Sequence, residues 1–103
     1  MNLTAARAKF QKLRQDSHRI RIKKHAWADH PDRGFTPGEI KNLVHESSGI
    51  LDDNRAASAT DGSFVFRCYD RLKRRCELVV LFEEDEVSGE LLIVISAFRR
   101  VKK

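Results

Sequence analysis

Residues 63–83 read SFVFRCYDRLKRRCELVVLFE. Two strand-like runs, Ser63–Asp70 and Arg75–Glu83, flank the charged segment Arg71–Arg74. So short a connection makes the runs antiparallel neighbours. With the hairpin centred near Leu72, Phe64 faces Val80, Phe66 faces Leu78 and Cys68 faces Cys76. The other side then sets Val65 opposite Val79 and Arg67 opposite Glu77. Both sides are chemically sensible, which supports the register.

A third run, Glu90–Arg99 (ELLIVISAFR), follows across Glu84–Gly89. With that turn centred between Glu86 and Val87, Ile93 faces Val80 and Ile95 faces Leu78. One sheet face would then carry Phe64, Phe66, Leu78, Val80, Phe82, Leu91, Ile93 and Ile95. Ser96 would lie on the opposite face, beside Glu77 and near Arg67. A bulge would reverse this arrangement.

Upstream of the sheet the pattern changes to helical. Leu3, Ala6, Phe10 and Leu13 form one stripe within residues 2–15, and Asn2 can cap its start. Arg7, Lys9, Lys12 and Arg14 lie off that stripe, facing solvent or a ligand. Arg19–Ile22 alternates polar and apolar, as a short strand or an extended link. Lys23–His30 is a short helix candidate that holds His25, Trp27 and His30 and ends at Pro31 and Gly34. Thr36 reads as an N-cap, with Pro37 at N1 and Glu39 completing a capping box. Phe35 and Ile40 form a hydrophobic staple around it. Ile40, Leu43 and Val44 face the core, and Gly49 ends the helix. Residues 50–62 are mostly polar and read as an edge strand or a loop. The expected fold is α+β, with N-terminal helices packed on one face of a three- to four-stranded antiparallel sheet.

The 103 residues suit one domain, 1–103, large enough for a core without disulfide or metal staples. Hydrophobic content of 41% argues against disorder. The longest apolar runs, Leu78–Phe82 and Leu91–Ile95, fall far short of the about 18 residues a membrane span needs. Residues 1–10 lack the apolar centre of a secretory signal, so a cytoplasmic location is expected. Cys68 and Cys76 fit no zinc-knuckle spacing and read as small core residues.

Net charge is +5, and it is unevenly placed. Residues 1–24 hold eight basic side chains and one acid, whereas residues 52–103 hold ten of each sign. A basic first quarter on a balanced remainder suggests a polyanionic partner, nucleic acid first. A basic helix face that only keeps the chain soluble explains the same asymmetry.

The chemistry-bearing stretch is residues 25–40, HAWADHPDRGFTPGEI. His25 directly follows Lys23 and Lys24. Neighbouring positive charge favours a neutral imidazole, the form a general base requires. Arg33 has the forked shape that matches two phosphate oxygens. A surface or capping histidine, and an arginine that only bonds carbonyls near the Gly34 turn, are the plainer alternatives. His25 and His30 do not share a helical face, and a metal site would need Asp29 or Asp32 brought in by folding. No metal and no cofactor is therefore expected.

The His25…Arg33-Gly34-Phe35-Thr36 arrangement resembles an uncharacterised branch of the RelE, colicin D and barnase-like small bacterial nucleases. That branch has a histidine, then an arginine followed by Gly, an aliphatic residue and Ser or Thr opening a helix. Phe35 stands here in the aliphatic position. The branch ends in a strand with a Thr shortly before an aromatic residue, and Ser96 before Phe98 takes that place. The resemblance runs over roughly residues 20–100 on few matched positions.

What the resemblance implies is a helix–helix–sheet fold and metal-independent RNA cleavage by the substrate's own 2′-hydroxyl. By position, His25 would be the acid/base, Arg33 the phosphate clamp and Ser96 a donor to a phosphate oxygen. Lys23, Lys24, Arg67, Tyr69 and Arg99 complete the candidate RNA-binding set. Arg67 has an alternative as cross-strand partner of Glu77, and Tyr69 as an amphipathic edge residue. The expectation is a toxin-type endoribonuclease, with RNA as substrate and an antitoxin protein as partner covering the basic surface. Two rivals stand beside it. One is a nucleic-acid-binding module without chemistry, and the other an interaction domain whose basic helix docks an acidic protein.

Overall fold

The structure is a computed structural model, and it describes residues 1–29 and 31–100, with the backbone alone at Arg100. Two α-helices, α1 (Leu3–Arg14) and α2 (Pro37–Glu46), accompany five strands. The strands are β1 (Ile20–Ile22), β2 (Gly49–Asp53), β3 (Phe64–Tyr69), β4 (Arg75–Asp85) and β5 (Gly89–Arg100). They form one sheet in the order β1-β5-β4-β3-β2. Three pairings are antiparallel, but β1 runs parallel to β5. The α+β class stands; the sheet is five-stranded and mixed, where three or four antiparallel strands were expected.

Each helix starts for a local reason. The Asn2 side chain accepts from Ala5 N–H at 2.8 Å, and that of Thr36 accepts from Glu39 N–H at 3.1 Å. Pro37 occupies the first turn, where its missing N–H costs nothing. The Glu39 carboxylate does not close the expected capping box; it pairs with Arg99 on β5. Helix α2 ends at Glu46 with Ser47 as its cap, so Gly49 belongs to β2 and does not end the helix.

The β3–β4 register is the one the alternation dictates, with Phe64 opposite Val80 and Cys68 opposite Cys76. The β4–β5 register is shifted by one from the expected pairing. Asp85 lies opposite Gly89 because the turn has three residues. The Asp85 carboxylate accepts from Val87 N–H at 2.7 Å, and Gly89 takes a left-handed φ of 76°. A bulge then leaves Ile95 unpaired between Ser96 opposite Val79 and Val94 opposite Val80. Leu92, Val94 and Ala97 therefore face the helices, where Leu91, Ile93 and Ile95 were expected.

Both helices pack on that face. Ala6, Phe10 and Leu13 of α1 and Ile40, Leu43 and Val44 of α2 share one core with Phe64, Phe66, Leu78 and Val80. Phe10 and Phe66 rings meet at 4.6 Å between centroids. Arg14, expected off the apolar stripe, is buried at its edge. Its Nε donates to the Val44 carbonyl at 2.8 Å and its Nη2 to that of Ser47, satisfying the end of α2. Its guanidinium also lies over Phe10 and Phe66. The thiols of Cys68 and Cys76 are buried and free, and burial pushes that of Cys68 up to about 11.

Lys23–His30 is not a continuous helix. Short 3-10 turns at Lys24–Ala26 and Pro31–Arg33 replace it. His30 lies outside the described residues. No helix is long and apolar enough to cross a membrane among the described residues.

Candidate functional site

The sheet face turned away from the helices holds a groove of about 950 Å³. Its floor is apolar where Val65, Val79, Leu81 and Ile95 emerge from three strands. Lys23 and His25 form one wall, because the backbone of Lys23 extends the β1–β5 pairing by donating to the Val94 carbonyl at 2.9 Å. The loop after β2 forms the other wall through Asn54, Arg55 and Ser58–Thr60. That loop is held by its own polar side chains. Asn54 Nδ2 donates to Ser63 Oγ at 3.0 Å, and Ser63 Oγ donates to the Thr60 carbonyl at 2.5 Å.

His25 and Ser96 therefore line the same groove, although they come from opposite ends of the chain. His25 Nδ1 lies 2.6 Å from Asp29 Oδ2. An ionised carboxylate only accepts, so Nδ1 carries the proton and Nε2 is the basic nitrogen of the neutral ring. The two side chains are half exposed, at 55% and 56%. Ser96 is half-buried, opposite Val79 on the groove side of β5. Its hydroxyl has no hydrogen-bond partner among the described residues.

The cations of the groove divide into two kinds. Arg67 is committed, with Nη1 3.1 Å from Asp52 and Nε 3.2 Å from the buried Glu77. Lys23 Nζ and the Arg55 guanidinium make no hydrogen bond or ion pair among the described residues. Arg55 acts through space on Asp52, whose carboxyl is held below its usual value first by the Asp53 N–H and then by Arg67 and Arg55. The groove thus holds two cations that make no direct ion pair among the described residues, with Glu77 and Glu83 also in its lining, beside an oriented imidazole.

Arg33 stands next to the groove. Its guanidinium lies 4.3 Å from the Phe98 ring centroid, and Phe98 is a lining residue. Its Nη1 donates to the Ala97 carbonyl at 3.2 Å, and that bond orients the fork. Lys24 is exposed outside the lining residues. Tyr69 is exposed near the β3–β4 turn, beyond the groove.

Arg99 has a different environment. It points to the helix side, where Nε donates to Asp70 Oδ2 at 3.2 Å and Nη1 to the Arg33 carbonyl at 2.7 Å. It also pairs with Glu39 and lies 4.0 Å from the Phe35 ring centroid. The network fixes the Pro31–Arg33 turn, and with it Arg33, against the end of β5. Asp70 is almost fully buried there. Burial alone would raise its carboxyl, but the Arg74 N–H and the Arg99 and Arg74 side chains outweigh it and hold the carboxyl low.

Sequence reasoning did not single out Asp29 as the partner of His25. The four-residue spacing was the available signal, but Lys24–Ala26 is a single 3-10 turn. Arg55 was also missed, since its place depends on how the loop after β2 folds back over the sheet, and Phe98 was noted only as the aromatic after Ser96, without its contact to Arg33. In comparison with known proteins, no family model, no curated protein and no solved structure matches the chain.

Proposed function

We propose that the open-face groove binds RNA and cleaves it by metal-independent transesterification. The observation that carries the proposal is His25, paired with Asp29, on the wall of a groove that also holds Lys23, Arg55 and Ser96. In this reading Nε2 of His25 takes the proton of a 2′-hydroxyl, and Asp29 stabilises the imidazolium that forms. The 2′-oxygen attacks phosphorus and the bond to the 5′-oxygen breaks, leaving a 2′,3′-cyclic phosphate. The departing 5′-oxygen takes a proton from water at the open side of the groove. Lys23 and Arg55 neutralise charge on the phosphorane, and Ser96 donates to a non-bridging oxygen. Arg33, set by Phe98 and the Ala97 carbonyl, is close enough to the groove to hold an adjacent phosphate.

The likeness to RelE, colicin D and barnase-like nucleases, with a toxin role and an antitoxin partner, belongs to the same proposal. The test is incubation of a mixed-sequence RNA with the protein in EDTA, beside His25→Ala and Asp29→Asn. Cyclic-phosphate ends that vanish with His25→Ala support cleavage. Salt-sensitive binding that survives His25→Ala, with no cleavage by any form, makes the groove a binding site without chemistry.

A further inference from the structure

Beyond the groove the open face continues toward the β3–β4 turn. Alternation along β3 puts Tyr69 on the face of Arg67, and the register sets Tyr69 opposite Arg75. Tyr69 is 61% exposed, and Arg75, Arg71 and Lys73 are exposed around it. None of the four side chains has a hydrogen bond or ion pair among the described residues. Arg74, by contrast, is tied to Asp70 at 2.8 Å. At the other end of the same strands, Glu83, Glu84, Asp85 and Glu86 are all exposed. The face therefore runs from acidic to basic along β4, and the groove begins at the acidic end, where Glu83 lines it.

A polyanion seated in the groove is repelled by the first end and drawn to the second. Four residue steps along β4 lead from the Val79 position beside Ser96 to Arg75, about 14 Å by strand rise. Along that line the exposed aromatic is Tyr69; the separate cleft it borders against α2 is lined by Glu39, Glu46 and Asp70 and does not suit a polyanion. A ring of this kind offers one face to a nucleobase, which is available only where the base is unpaired.

We propose that the ligand is single-stranded RNA that leaves the groove toward the β3–β4 turn, stacking a base on Tyr69 while Arg75 and Lys73 hold its phosphates. The identity of the polymer rests on the function proposed above. The path rests on the charge gradient and on Tyr69.

The experiment measures anisotropy of a labelled hexauridylate, and of an RNA duplex of the same length, in a His25→Ala background that leaves substrate intact. Tyr69→Ala lowers affinity for the single strand about tenfold, whereas Tyr69→Phe retains it. Arg75→Gln reduces the salt slope by about one. Unchanged binding by Tyr69→Ala, or a duplex bound as tightly as the single strand, overturns the path. Cleavage lost with His25→Ala alongside neutral Tyr69→Ala removes the path and keeps the catalytic reading. Tyr69-dependent binding by a protein that cleaves no RNA does the reverse.

Discussion

Arg99 Nε donates to Asp70 Oδ2 at 3.2 Å, joining the last strand to the residue that opens the β3–β4 turn. Asp70 Oδ1 accepts from Leu72 and Arg74 N–H, each at 2.9 Å, so one buried carboxylate serves both the turn and the ion pair. Asp70→Asn should lower stability by about 2 kcal/mol. The pH dependence follows from the sign of the shift. The folded-state carboxyl is held below its unfolded value, so the native state binds fewer protons. The stabilisation is complete above the unfolded value near 4 and fades as pH falls through the folded one. Chemical denaturation across that acid range should show a shallower loss for Asp70→Asn than for wild type.

Arg14 closes the end of α2 while its guanidinium covers two aromatic rings. Arg14→Met keeps much of the stem but leaves the Val44 and Ser47 carbonyls without their donor. The expected cost is about 3 kcal/mol, read as a lower denaturation midpoint with an unchanged slope. A variant as stable as wild type would mean that water satisfies those carbonyls.

Gly49 lies where β2 meets β3 closely. A Cβ there would stand 2.3 Å from the Arg67 carbonyl oxygen and 2.9 Å from the Phe66 ring. Gly49→Ala should therefore cost about 2 kcal/mol, since backbone and a buried ring must both move. Gly38→Ala is the control, because its added Cβ meets nothing within 4 Å.

Cys68 and Cys76 sit face to face in the core, and burial raises both thiols above the ordinary value. Neither should react with iodoacetamide at neutral pH in the folded protein, and both should react once it is unfolded. Labelling followed by mass spectrometry reads this directly. Rapid modification of the native chain would contradict the packing around β3 and β4.

The first hairpin was legible because every cross-strand pair it implies is chemically matched on both faces. The second was not, for two local reasons. Asp85 and Gly89 make a three-residue turn, which shifts the register by one, and the bulge at Ile95 shifts it again. The two shifts add to two residues, which restores the facing, so Ser96 emerges on the open face but opposite Val79 in place of Glu77. The parallel pairing of β1 could not be read locally, because its three residues find their partner far along the chain. Arg14, read as facing solvent or a ligand, and Arg99, read as an RNA contact, share one reason for hiding their real partners. A charged side chain buried by carbonyls and carboxylates carries no mark of that in a hydrophobic pattern. His25 and Ser96 were visible as residue types, while Asp29 and Arg55 acquire their meaning only from the geometry of the groove.

Removal of Asp29 should separate orientation from chemistry. Asp29→Asn keeps a partner for Nδ1 but loses the charge that steadies the imidazolium. RNA cleavage should fall by about 10- to 100-fold, less than the 10²- to 10⁴-fold expected for His25→Ala. Equal losses would make Asp29 more than a positioning residue, and no loss would make the pair a surface contact.

The most direct measurement compares cleavage of one RNA with that of the same strand carrying a 2′-deoxy sugar at the cut position, both in EDTA. The account predicts cleavage of the first to a 2′,3′-cyclic phosphate and none of the second, with His25→Ala inactive on both. Equal cleavage of the two strands would contradict it, because the substrate's own hydroxyl would then not be the nucleophile.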